Sequence, residues 1–266
     1  MNISKNKIKF IHSLELKKNR RQENAFIAEG HKTVGDLLSE GFEPLLIIHT
    51  EEWKLPVLLP SSTEVIETSD DNLRKASLLL NPQKVIAVFR IPDTAYSPTS
   101  FIDTISKSDK LQELILCLDG VQDPGNLGTI IRTADWFGIH NVVCSHQTAD
   151  AFSPKVVQAT MGSIARVNVH YLDIPQFLSS LPKGTPIYGT MLDGTDIYKE
   201  TLSSNGIIVM GNEGNGITDE VRKIVTNKLL IPPYPANKHT AESLNVSIAT
   251  AIVCSEFRRV CNVNNS

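Results

Sequence analysis

From Glu113 to Ile231 short, almost wholly apolar runs alternate with stretches of helical periodicity, and this alternation constrains the chain more than any other feature. The apolar runs fall at 113–118, 141–144, 166–170, 186–191, 207–210 and 228–231, with helices expected at 127–137, 154–161, 174–181 and 219–226. A strand without polar alternation is buried on both faces, as in a parallel sheet covered by crossover helices. The pattern therefore predicts an α/β domain of βαβ units. Ligands of such sheets gather at the carboxyl ends of the strands.

Before that domain the pattern is shorter. Residues 3–19 place Ile8, Ile11, Leu14 and Leu16 among lysines and read as one amphipathic helix. A strand at Phe26–Gly30, a helix at His31–Glu40 stopped by Gly41, a strand at Pro44–Thr50, a helix near Asp70–Leu80 and a strand at Val85–Phe89 follow. These make a small α/β domain over residues 1–90. Residues 91–109, rich in Ser, Thr and Pro, read as a linker, leaving 110–266 for the second domain.

Net charge is −3 over 266 residues, but it is unevenly spread. Residues 1–32 hold eight lysines and arginines against three glutamates, so a segment of +5 precedes a remainder of −8. A basic segment on an acidic body suggests local contact with phosphates, with Lys18, Arg20 and Arg21 as candidates. No apolar run reaches the length of a membrane span, and the chain does not open on a secretory signal. Cys117, Cys144, Cys254 and Cys261 have no zinc spacing, and no cluster of ligand residues suggests a metal. They read as small buried hydrophobes in a reducing cytoplasm.

Three stretches carry chemistry. Asp119-Gly-Val-Gln-Asp-Pro-Gly-Asn-Leu-Gly-Thr-Ile-Ile-Arg132 enters the expected helix 127–137, on which Arg132 points about 160° away from the apolar face. Gly211-Asn-Glu-Gly-Asn-Gly216 follows an apolar strand, and its glycines permit tight turns. This G-x-x-G-x-G order after a late strand differs from the dinucleotide fingerprint, and no Walker pattern is present. Glu242-Ser-Leu-Asn245 opens a last helix whose apolar residues run around most of its circumference and predict burial.

In this order the three stretches resemble the signature motifs of the SpoU/TrmH family, the S-adenosylmethionine-dependent RNA ribose 2′-O-methyltransferases of the knotted SPOUT superfamily. The resemblance implies a SPOUT methyltransferase domain with a C-terminal deep trefoil knot, which unaided reasoning would reject because true knots are rare. The N-terminal domain is similar to the L30e-like substrate domain of many relatives. Carried over by position, Arg132 resembles the family arginine at the transfer site. Asn126, Glu213, Ser243 and Asn245 resemble the polar residues of the three motifs. Gly211, Ile231 and Leu244 match backbone positions at the cofactor, Thr190 and Leu192 line its adenosine side, and Asn212, Gly214 and Gly216 complete that loop. Pro232-Pro233-Tyr234 departs from the family pattern of one proline and a methionine. His239 reads as a surface loop residue.

What the resemblance implies is methyl transfer to RNA, with 23S rRNA preferred and tRNA the alternative substrate. It also implies a homodimer through the helix Leu244–Phe257, which Phe257→Glu would split. A non-catalytic RNA-binding protein and a nucleotide-dependent oxidoreductase are the competing classes. The intact polar set argues against the first and the glycine spacing against the second.

Overall fold

The structure, a computed structural model, describes residues 2–56, 58–95, 99–235 and 241–263, the last three of these without their side chains. In chain order the elements are α1 (Lys5–Ser13), α2 (Lys17–Glu23), β1 (Ala25–Glu29), α3 (His31–Ser39), β2 (Pro44–His49), β3 (Glu64–Glu67), α4 (Asp70–Ala76) and β4 (Val85–Arg90). There follow α5 (Thr99–Ser106), β5 (Leu114–Asp119), α6 (Pro124–Trp136), β6 (Asn141–Cys144), α7 (Pro154–Ala159), β7 (Asn168–Tyr171) and α8 (Ile174–Ser179). The chain ends with β8 (Ile187–Asp196), β9 (Gly206–Gly211), α9 (Asp219–Arg222), β10 (Asn227–Leu230) and α10 (Val246–Val263). Two compact units result: Met1–Pro92 with Asp150–Arg166, and Asp93–Ala149 with Val167–Ser266.

The first unit is built on a mixed four-stranded sheet, β1-β4-β2-β3. Every residue of β1 is buried, because both sheet faces are covered. Ala25 and Ile27 point into an aliphatic cluster with Ile11, Leu14 and Leu73. Phe26, on the other face, packs against Phe42, Phe89 and Phe152. Phe152 comes from the stretch Asp150–Arg166, which the helical period of 154–161 assigns to the second domain. Periodicity identifies a helix but not the sheet it covers.

Arg20 is where the structure overturns the reading of the basic segment. Residues 3–19 form two helices, not one, and the break between them exposes carbonyls. The Arg20 guanidinium accepts that task, donating to the carbonyls of Leu14 and Glu15 at 2.7 Å each. Its remaining edge donates to Asp150 Oδ2 at 2.6 and 3.2 Å, with both side chains buried. Arg20 is thus a buried lock on the Asp150–Arg166 stretch and does not face RNA. Lys18 and Arg21 remain on the surface.

The second unit holds a six-stranded, wholly parallel sheet in the order β10-β8-β9-β5-β6-β7. The alternation of 113–231 thus ends in the sheet it predicts, with β8 longer and α9 shorter than expected. The expected linker is partly helical. α5 seats Ile105 in the core beside Ile115, Phe177 and Ile207, with Phe101 and Ile102 packed on it. A turn-rich composition conceals a helix whose three apolar residues share one face. The strand β3 was not foreseen; it has only one buried residue, Ile66.

Removing Arg20 takes from buried Asp150 the guanidinium that bonds it and from the Leu14 and Glu15 carbonyls their donor. Arg20→Ala is expected to cost about 3–5 kcal/mol, read as a lowered urea midpoint of the unit that contains it. An unchanged midpoint would remove the lock.

Candidate active site

A cavity of about 710 Å³ lies at the carboxyl ends of β8, β9 and β10. Thr190, Leu192, Gly211, Asn212, Gly214, Gly216, Ile231 and Leu244 all line it, together with Glu213 and Ser243. Sequence reasoning missed Asp193, Met210 and Arg222 in the same wall, which also holds Glu242 from the last polar run. Asp193 and Met210 adjoin Leu192 and Gly211, so proximity was the available signal for them, whereas Arg222 on α9 had none.

The loop after β9 owes its shape to glycine and to one asparagine. A Cβ on Gly211 would sit 2.3–2.6 Å from the backbone of Gly216 and Ile217, so the loop closes this tightly only on glycine. Asn212 pairs its backbone with Gly216 in both directions at 2.9 Å. Its Oδ1 accepts from the amides of Gly214 and Asn215, and its Nδ2 donates to the Gly120 carbonyl at 2.7 Å. The Asn212 side chain is therefore committed to holding the loop. Buried Asp119 fixes the far end, accepting from the amide and hydroxyl of Thr218 at 2.8 Å.

α6 begins one turn earlier than its periodicity implies. Pro124 occupies the first turn, and Asp123 caps it by accepting from the Asn126 amide at 2.8 Å. That capped turn aims the Asn126 side chain. Its Nδ2 donates to Glu213 Oε1 at 2.8 Å, and its Oδ1 accepts from Asn245 Nδ2 at 2.9 Å. Asn245 Oδ1 accepts in turn from the amides of Ser247 and Ile248 and from the Ser247 hydroxyl. Asn245 is thus the cap of α10, and Glu242, Ser243 and Leu244 precede the helix instead of opening it.

The structure gathers Asn126, Glu213 and Asn245 into one hydrogen-bonded chain and puts Ser243 in the cavity wall beside Glu213. It does not bring Arg132 into that wall. Arg132 is exposed on α6 with no hydrogen-bond or ion-pair partner among the described residues. His239 lies outside the described residues. The last helix is not buried all round either: Ile248 is 54% exposed, and Leu244 just before the helix is 50% exposed.

The cavity wall is acidic at three points, Asp193, Glu213 and Glu242. Asp193 is held below the ordinary carboxylate range by the Lys228 ammonium at 2.9 Å and by the Arg222 guanidinium, which donates to the same oxygen. The thiols of Cys117 and Cys144 are pushed up by burial, and that of Cys254 to about 12, which leaves them inert.

Comparison with known proteins follows the same division. Residues 113–255 match the model of the SpoU rRNA Methylase family, and residues 5–87 that of the MRM3-like substrate binding domain. The chain is 32% identical to the 23S rRNA (guanosine(2553)-2′-O)-methyltransferase RlmP of Bacillus subtilis, over 95% of this chain and 96% of that one. A solved TrmH-family structure from Porphyromonas gingivalis superposes with a TM-score of 0.84 at 41% identity, covering 97% of this chain and 99% of the other. An AdoMet-bound rRNA methyltransferase from Sinorhizobium meliloti superposes with a TM-score of 0.80 at 29% identity, covering 95% and 94%.

Asn245 supports the helix cap and the link to Asn126 at once. Asn245→Ala is expected to lower stability by about 1–2 kcal/mol, measured by chemical denaturation. Asn245→Asp keeps the capping oxygen and should recover the cap alone. Wild-type stability for the alanine variant would contradict the cap.

Proposed function

This chain belongs to the SpoU rRNA Methylase family, and from that membership we propose that it transfers a methyl group from S-adenosylmethionine to a ribose 2′-hydroxyl of ribosomal RNA, 23S rRNA in preference. The observation that carries the reading is the Glu213–Asn126–Asn245 chain on the rim of the cavity, which joins the three motifs in one place. The cavity suits the cofactor. Its size is that of a small-molecule site, Met210, Ile231 and Leu244 offer apolar walls, and Glu213 and Glu242 suit a ligand with a cationic sulfonium and ammonium. Gly211, Asn212, Gly214 and Gly216 contribute backbone, and Thr190 and Leu192 the opposite wall.

When bound, S-adenosylmethionine supplies an activated methyl group, so the protein's task is largely to position the acceptor hydroxyl. Asn126 and Ser243 orient the ribose beside Glu213. A guanidinium such as that of Arg132 donates hydrogen bonds and does not serve as a general base. It binds a phosphate of the substrate or stabilises the alkoxide as it forms. Its lack of a partner among the described residues supports this role.

The finer fold reading is the family's. The C-terminal segment forms a trefoil knot, supported by its path: β10 pairs with β8 at the sheet edge, and α10 then returns to bond Asn126 and the carbonyls of Phe137 and Gly138. The first unit, Met1–Pro92 with Asp150–Arg166, is an L30e-like RNA-binding domain. Lys18 and Arg21 on its surface meet phosphates in the cytoplasm, where ribosomal RNA is modified.

The protein is a homodimer. Trp136 on α6 is 83% exposed, and Ile248 on the neighbouring α10 is 54% exposed, two apolar side chains that a symmetric partner would cover. Phe257 is not on that surface. It is fully buried against Tyr188 at 4.9 Å, so Phe257→Glu would unfold the unit instead of splitting a dimer.

Arg132→Ala is expected to reduce transfer to 23S rRNA by a factor of about 100 or more while calorimetry finds S-adenosylmethionine binding unchanged. Wild-type turnover in this variant would contradict the role. Light scattering at micromolar concentration should find a dimer that Trp136→Glu with Ile248→Glu dissociates; a monomeric wild type would refute the assembly.

A further inference from the structure

α10 holds α6 at both ends, and only one of the two attachments belongs to the three motifs. That one is the bond from Asn245 to Asn126, where both helices begin. The other lies where α6 stops. Gly138 turns there with φ +61°, so that its amide donates back to the Asp135 carbonyl at 3.1 Å and the Ile139 amide to the Ala134 carbonyl at 2.8 Å. The carbonyls of Phe137 and Gly138 are left for a donor from outside the helix, and Arg258 of α10 supplies it. Its Nε donates to the Phe137 carbonyl at 2.7 Å and its Nη2 to the Gly138 carbonyl at 3.0 Å. A cation is also the charge that the carbonyl end of a helix favours. Arg259, the next residue, does not duplicate this, because its guanidinium donates to both oxygens of Glu256.

The two attachments have matching spacing. Asn245 and Arg258 are 13 residues apart, and Asn126 and Phe137 are 11 apart. At the helical rise these spans are about 20 and 17 Å, so the two helices run side by side in one direction and are fastened at each end. The buried face of α6, Leu127, Ile130, Ile131 and Ala134, keeps the helix against the core. Bonds of fixed direction at both ends set its rotation and its register along α10. Arg132 lies between them, 6 residues past Asn126 and 5 before Phe137. Its side chain is exposed, so the place its guanidinium can reach is set by how α6 is seated. A misplacement of about 1 Å is enough to slow a transfer by orders of magnitude.

We propose that Arg258 is a positioning residue for the methyl transfer: by capping the end of α6 it fixes the rotation of that helix and so the place at which Arg132 meets the substrate. This role rests on the RNA methylation reading, in which Arg132 acts at the transfer site.

Kinetics of the full chain on 23S rRNA transcript test it. Arg258→Ala should lower kcat about tenfold with KM for S-adenosylmethionine unchanged. Arg258→Lys, which keeps a charge and a donor at the helix end, should recover most of that loss. With Arg132→Ala already present, Arg258→Ala should cost nothing more, because the side chain it positions is gone. Should the alanine variant not fold, Arg258→Gln gives the same comparison. An unchanged kcat, or an equal loss with Arg132 present and absent, would overturn the positioning role while the methylation reading stands. A wild-type protein that transfers no methyl group to any RNA would overturn that reading, and the role with it.

Discussion

The Asn126 carboxamide is the interaction on which the site depends, because its two ends leave no freedom. A carboxylate at neutral pH only accepts, so the edge of Asn126 that faces Glu213 must be Nδ2. Its Oδ1 then faces Asn245, which must present its own Nδ2. That leaves Asn245 Oδ1 for the first amides of α10, the arrangement a helix cap requires. The direction of every hydrogen bond thus follows from the charge on Glu213, and three segments separated by 87 and 119 residues along the chain are fixed together.

Around that chain, space is set by glycine. Gly211 lets its loop fold onto its own backbone, and Gly194 lets β8 approach β10, where a Cβ would lie 2.5–2.8 Å from the Leu229 backbone. The two close approaches draw three strand ends together and leave the cavity between them. Its walls are apolar near Met210 and Leu244 and carboxylate near Glu213 and Glu242. This acidic cavity suits a cationic cofactor. Exposed basic side chains that suit an RNA include Lys18 and Arg21 on the first unit and Arg132 on α6.

Where the sequence was legible, one physical signal had one interpretation. Unbroken apolar runs became the buried strands β5, β6 and β9, and Arg132, opposite the apolar face of its helix, is exposed. The site residues other than Arg132 converge because their spacing is that of loops at strand ends. Where legibility failed, two outcomes shared a signal. Arg20 and Arg21 are equal as charges, yet one is consumed by the α1–α2 break and Asp150. The helical period of α7 does not say that Phe152 beside it will cover β1. The apolar circumference of α10 mixes Phe257, which belongs to its own core, with Ile248, which does not.

The account stands on the identity of the acceptor atom. A 2′-hydroxyl is both the proposed nucleophile and the group that attacks the adjacent phosphate when alkali cleaves RNA, so methylating it removes both capacities while methylating a base removes neither. Incubating 23S rRNA transcript with the protein and S-adenosylmethionine should create one internucleotide linkage that resists alkali, immediately 3′ of the target. A transcript carrying a single 2′-deoxy nucleotide there should still bind and accept no methyl group. Methylation of the deoxy transcript would mean that the acceptor is a base atom and would contradict the account.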